Sequence, residues 1–148
     1  MASFAHRARS KQLGRRTHRG AVLVELALTF SILSVVLFGI VEMAFLYHDE
    51  AAVSNAAREA CRYAADGHSV LLSESRGASA APNISGLEPH VYCSTDNGAT
   101  YTEISGAATA STGSMIKVTE KYTHNYLTGF MTSRSADIKV AVFMRRIM

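Results

Sequence analysis

The chain has 148 residues, 48% of them hydrophobic and only 18% charged, which leaves room for one membrane span and one small domain and excludes a large enzyme core. A formal charge of +3 and a pI near 9.0 would suit a nucleic-acid binder, but the excess is confined to one end. Residues 1–20 hold six basic residues and no acid, so the remainder carries nine basic and twelve acidic side chains, a net of −3, and nucleic acid is set aside as a partner.

The arm from Met1 to Gly20 has few apolar residues and no periodicity, so the sequence predicts a disordered cytoplasmic leader. Its Arg15, Arg16 and Arg19 stand against the apolar run that follows and would hold that end on the inside. From Ala21 to Leu46 come 26 residues without Pro, Lys or Arg. As a helix they reach about 39 Å, enough for a hydrocarbon core of about 30 Å, and a transmembrane helix is expected over 21–46. A buried helix of a soluble domain rarely stays apolar on every side for so long. A conventional cleaved secretory signal fits poorly, because the apolar run is too long and no boundary follows it. An uncleaved signal anchor stays open.

Two charges interrupt the run, Glu25 and Glu42. A charge at the bilayer centre costs about 2.5–3.5 kcal/mol on insertion scales, so their positions carry information. Glu42 suits the far interface and requires nothing more. Glu25 lies little more than a turn inside the other end and has two readings. Either its carboxylate reaches back to water beside the arginines, or cleavage after Gly20 frees an ammonium on Ala21. In the second case Glu25 becomes the fifth residue of the mature chain and could neutralise the new ammonium of a neighbouring subunit.

Residues 49–65 contain no Gly or Pro, and 47–66 should continue the helix outside the membrane, with Tyr47 as an interfacial anchor. Alanines at Ala52, Ala56, Ala60 and Ala64 make a smooth stripe, which either covers the protein's own sheet or packs in a bundle of subunits. Glu59 and Arg62 can pair across one turn. Asp66-Gly67 gives a stop, because Gly67 can take the left-handed conformation. Residues 67–87 turn to Gly, Ser and Pro82 and read as a loop with at most a short helical turn at Val70 to Leu72. The Asn83-Ile84-Ser85 sequon is taken as chance.

Residues 88–148 read as a small antiparallel β domain. Strands are expected at Glu88 to Thr95 and Ala99 to Ser105 around an Asp96-Asn97-Gly98 turn. A third runs from Met115 to Thr123, alternating Ile116, Val118 and Tyr122 against Lys117, Thr119 and Lys121. A fourth runs from Ala136 to Arg146, alternating Ile138, Val140, Val142 and Met144 against Lys139, Ala141, Phe143 and Arg145. The stretch from Gly106 to Gly113 between them reads as an exposed loop.

Three blocks in order carry a family resemblance: Arg19-Gly20-Ala21-Val22-Leu23-Val24-Glu25-Leu26-Ala27-Leu28, Leu37-Phe38-Gly39-Ile40-Val41-Glu42, and Asn55-Ala56-Ala57-Arg58-Glu59-Ala60-Cys61-Arg62-Tyr63-Ala64-Ala65. Together they resemble the TadE-like family of minor pilins, over residues 19–66. Two positions depart from its pattern, Leu26 where an aromatic is usual and Thr29-Phe30-Ser31-Ile32 where a mid-span proline is common. The resemblance implies a relative of type IV pilins from the tight-adherence (Tad, Flp) pilus system. It implies Gly20 and Ala21 as the pair cut by a prepilin peptidase, Glu25 as the processing and assembly acid, and Arg15, Arg16 and Arg19 as topology determinants. It also implies other Tad pilins and assembly-platform proteins as partners, oligomers formed through the N-terminal helix, and residence in the cytoplasmic membrane with the β domain outside, or in a surface pilus.

No chemistry of the chain's own is expected. His6, His18, His48, His68, His90 and His124 form no H-x-x-x-H pair, and no C-x-x-C, Walker loop or G-x-S-x-G occurs, so neither a metal, a cofactor nor a nucleophile is assigned. The adjacent His48, Asp49 and Glu50 diverge around a helix and read as a solvated cluster. Tyr63, Tyr92, Tyr101, Tyr122 and Tyr126 could contribute to adhesion without marking a site. Cys61 and Cys93 would lie where oxidation is permitted, and a disulfide between them would contribute about 3–4 kcal/mol and tie helix to sheet; two buried thiols are the alternative. The expected architecture is an α+β membrane protein with a long N-terminal transmembrane helix, continued outside and packed on a small antiparallel sheet. The competing functional reading is an uncleaved, single-span scaffold or binding domain.

Overall fold

With no proline before Pro82, one helix, α1 (Gly14–Ala65), runs for 52 residues in the computed structural model, which describes residues 14–127 and 135–147. Part of the basic arm expected to be disordered, residues 14–20, is therefore helical, while Met1 to Leu13 and the side chains of Arg15, Arg16 and Arg19 lie outside the described residues. By internal packing the chain divides into two units, Met1–Val41 and Glu42–Met148.

In the first unit the apolar side chains from Val22 to Val41 are exposed, Phe30 by 68% and Leu23 by 65%. One helix, Gly20–Ala65, is long and apolar enough to cross a membrane. Residues 20–41 alone supply about 33 Å of it. The hydroxyls within this stretch are satisfied locally: Thr29 Oγ1 donates to the Glu25 carbonyl at 2.9 Å, Ser31 to Ala27 at 2.8 Å and Ser34 to Phe30 at 2.8 Å.

In the second unit the outer part of α1 turns one face to a four-stranded antiparallel sheet. The buried positions Val53, Ala56, Ala57, Ala60, Cys61 and Ala64 follow the three-and-four spacing of a helix with one apolar side. The strands are β1 (His90–Ser94), β2 (Thr102–Ile104), β3 (Met115–Asn125) and β4 (Ser135–Arg145), in the order β2-β1-β3-β4. Pro89 has no amide hydrogen for the ladder, and β1 begins directly after it. The alternation expected for the two long strands is observed. Ile116 pairs with Met144 and Val118 with Val142 on the helix side, while Lys117 and Phe143 share the outer face. Lys117 Nζ stands 5.5 Å from the Tyr92 and Tyr101 ring centres there.

The turn between β1 and β2 is held by side chains. Asp96 Oδ1 accepts from the Ser94 hydroxyl at 2.6 Å and the Thr100 amide at 2.9 Å, and Oδ2 accepts from the Thr100 hydroxyl at 2.6 Å. These bonds hold its carboxyl well below the usual carboxylate range. Asn97 and Gly98 follow with φ of 59° and 94°, a left-handed pair that fits the turn expected here.

The stretch expected to be a loop contains a second helix, α2 (Val70–Ala80). Ser69 precedes it without making a side-chain cap. The first two amides instead donate to the carbonyls of Ala108 and Gly106, each at 2.9 Å, so the Gly106 to Gly113 loop caps the helix. The buried face of α2 is Val70, Ser73 and Gly77. That face permits close contact with α1: a Cβ at position 77 would meet the Ala60 Cβ at 2.9 Å and the Ala56 carbonyl oxygen at 3.0 Å. The alanine stripe is thus consumed inside the chain, against α2 and the sheet. Glu59 pairs with Arg62 at 2.8 Å, as its spacing predicts, and accepts from Arg76 of α2 at 3.3 Å.

Gly77→Val should cost about 1–3 kcal/mol, because the neighbouring Ala56 carbonyl belongs to a helix that cannot yield. Thermal unfolding of the detergent-solubilised chain measures this; an unchanged midpoint would mean that α2 does not dock through Gly77.

Candidate functional site

Gly20, Ala21 and Glu25 share the N-terminal part of α1, all exposed. Nothing lies within 4 Å of where a Gly20 Cβ would stand. Glu25 and Thr29 occupy one face a turn apart, where the Thr29 hydroxyl uses the Glu25 carbonyl and leaves the Glu25 carboxylate to face outward. This segment presents a hydrocarbon cylinder bearing one acid.

Glu42, expected at the far end of the apolar run, has a partner there that the sequence did not show. It is 4% exposed within the second unit, and its Oε1 accepts from the Leu127 amide at 2.6 Å. Nearby in sequence, Leu46 packs with Val53, Ala56, Ile84 and Ile138, so the last part of the apolar run belongs to the core of the second unit. The helix continues without a break, and Leu127, two residues beyond the end of β3, comes back to Glu42.

The His48-Asp49-Glu50 cluster splits as its helical spacing requires. His48 and Glu50 are exposed, whereas Asp49 Oδ2 lies 2.7 Å from Nδ1 of buried His124 on β3. Nε2 of His124 is buried without a partner among the described residues. Positions 49 and 124 lie too far apart in sequence for any spacing rule to join them.

Cys61 and Cys93 are both free thiols, so the structure does not contain the disulfide expected between them. Both contribute to one core cluster with Val91, Ile116 and Val118, but the Cys61 sulfur is directed to the Val142 and Ile116 carbonyls, at 3.7 and 3.9 Å. Burial pushes the Cys61 thiol up to about 11.

Glu120 breaks the apolar face of β3. It shares the inward parity of Ile116 and Val118, is 1% exposed, and neither carboxyl oxygen has a hydrogen-bond partner among the described residues. Burial first, and the charge of Glu74 second, push its carboxyl up to about 7, against a smaller opposing influence from His90. The signal was present in the sequence as a glutamate at an inward position of an otherwise apolar alternation.

A family model described as TadE-like protein matches residues 20–62, the stretch that carries the resemblance noted from the sequence, and relates the chain to Tad pilus proteins. No curated protein and no solved structure matches the chain.

Two outcomes follow from these contacts. Glu42→Ala leaves the Leu127 amide without its acceptor and should cost about 1–3 kcal/mol, read as faster hydrogen exchange at Leu127; unchanged exchange would show that the bond does not form. With iodoacetamide near pH 8, native Cys61 should resist alkylation, being a buried thiol of raised pKa, and unfolding alone should make both cysteines reactive. If both react only after a reductant is added, they are bonded to each other.

Proposed function

We propose that the protein is a minor pilin or pseudopilin of a Tad (Flp) type IV-like pilus. It is inserted in the cytoplasmic membrane with its N-terminus inside, cut between Gly20 and Ala21 by a separate prepilin peptidase, and assembled through its N-terminal helix with other Tad pilins and platform proteins. The observation that carries this reading is the exposed apolar stretch of α1 over residues 20–41, bearing Glu25 as its one charge, inside the TadE-like match. In this reading residues 1–20 are the leader, residues 21–46 the span, and the remainder an extracytoplasmic domain. Arg15, Arg16 and Arg19 orient the precursor, Glu25 meets the Ala21 ammonium of a neighbour, and the protein is a substrate and building block with no reaction or cofactor of its own.

One observation favours the alternative of an uncleaved single-span scaffold: α1 runs unbroken across the Gly20–Ala21 bond, and a helical peptide bond must be unwound before a peptidase can cut it. The two readings separate at the N-terminus. Protein recovered from membranes should begin at Ala21, lighter by about 2 kDa, only when the peptidase is present. Gly20→Phe should block that processing, and Glu25→Ala should reduce assembly while leaving membrane insertion intact. A chain that still begins at Met1 beside an active peptidase, with Gly20 variants fully functional, establishes the scaffold.

A further inference from the structure

Glu120 lies in the middle of the second unit, on the strand that the sheet is built around. Ala56 and Ala60 of α1 border the same Gly77 contact and carry no polar side-chain atom; on β4 the cross-strand partner of Glu120 is Val140. From α2, Gly77 closes over it, with a Cβ at that position standing 3.4 Å from Glu120 Oε1, and Glu74 contributes the nearest like charge. From β1, His90 contributes an opposing charge only when protonated, and it is half-exposed and held 2.7 Å from Glu103. No group on any of these elements hydrogen-bonds the carboxyl.

A neutral carboxylic acid can remain in such a place, but an ionised one requires water or a cation. Of the elements around Glu120, α1 and the strands supply most of the core, whereas α2, of 11 residues, adds Val70 to it. Its buried face is Val70, Ser73 and Gly77, and two amide bonds from Val70 and Leu71 tie it to the Gly106 to Gly113 loop. It is the element that can move at least cost.

We propose that α2 is a proton-governed cover over Glu120: while the carboxyl is protonated α2 stays seated on Ala56 and Ala60, and when the carboxyl ionises α2 lifts and admits water. The direction follows from linkage. An acid whose folded-state pKa is raised from the ordinary 4.5 to about 7 adds stability that is complete below the ordinary value and is lost as pH rises through about 7. Acid therefore seals the domain and mild alkali opens it. The device goes beyond assembly through the N-terminal helix and is independent of cleavage at Gly20. It assigns a role to the small residues of α2, which let the cover sit close enough to exclude water without adding a partner for the acid.

The test is hydrogen exchange of the α2 amides in the full chain in detergent micelles, at about pH 5.5 and about pH 8.5, corrected for intrinsic rates. Protection of residues 70–80 should fall by at least about tenfold at the higher pH while β3 and β4 keep theirs. Glu120→Gln should abolish the difference and hold α2 at its low-pH protection. Equal protection at both values in the parent chain, or a pH difference that survives in Glu120→Gln, overturns the proposal. Should the variant fail to fold, the infrared band of protonated carboxyl in the parent chain decides. One carboxyl titrating near neutral pH, with its midpoint lowered in Glu74→Gln, supports the cover. Complete loss of the band within the ordinary carboxylate range overturns it.

Discussion

The folded part of this protein depends on how closely two backbones approach at Ala56, Ala60 and Gly77. There is no space between α1 and α2 for even one added methyl group, and this distance sets what α2 can cover. Because the contact is made by small side chains, it contributes dispersion more than buried area, and its stability rests on fit. The flanking Glu59, Arg62 and Arg76 cluster stands on the partly exposed rim, where ion pairs are worth little, so the seam and the loop bonds to Val70 and Leu71 carry the docking.

Much of this architecture is legible in the sequence, and the reasons differ by element. The apolar run declares itself by its length without a basic residue. The long strands declare themselves because one face is buried, so Ile116, Val118, Ile138 and Val142 must alternate with polar neighbours. The α2 helix did not, since Ser73 and Gly77 on its inner face look like loop residues and its capping partners lie in a loop more than thirty positions later. Helical propensity alone would have argued against it, and tertiary contacts override that propensity.

The site is legible in a different proportion. Gly20, Ala21 and Glu25 stand out by spacing and by family resemblance, and the family match covers the same residues. Glu42 was visible as an acid in an apolar run, but its bond to Leu127 depends on where a distant strand ends. The Asp49–His124 pair and the surroundings of Glu120 arise from register across the sheet and from the helices laid over it, which no local pattern records. Acidic residues with unusual surroundings therefore occur at the end of the apolar run and in the core, and each is explained by what the chain places against it.

The hydroxyl groups of Thr29, Ser31 and Ser34 turn back onto their own helix. With their hydrogens committed there, the surface between Val22 and Val41 has almost no directional bonding to give a neighbour. Two such cylinders side by side could slide along each other at little cost, held by dispersion that hardly changes with axial displacement. Glu25 is the exception on this surface: in the assembly proposed above, a single charged point on an otherwise slippery rod would act as a pin, setting how far one helix is offset from the next and leaving rotation about the long axis to side-chain shape.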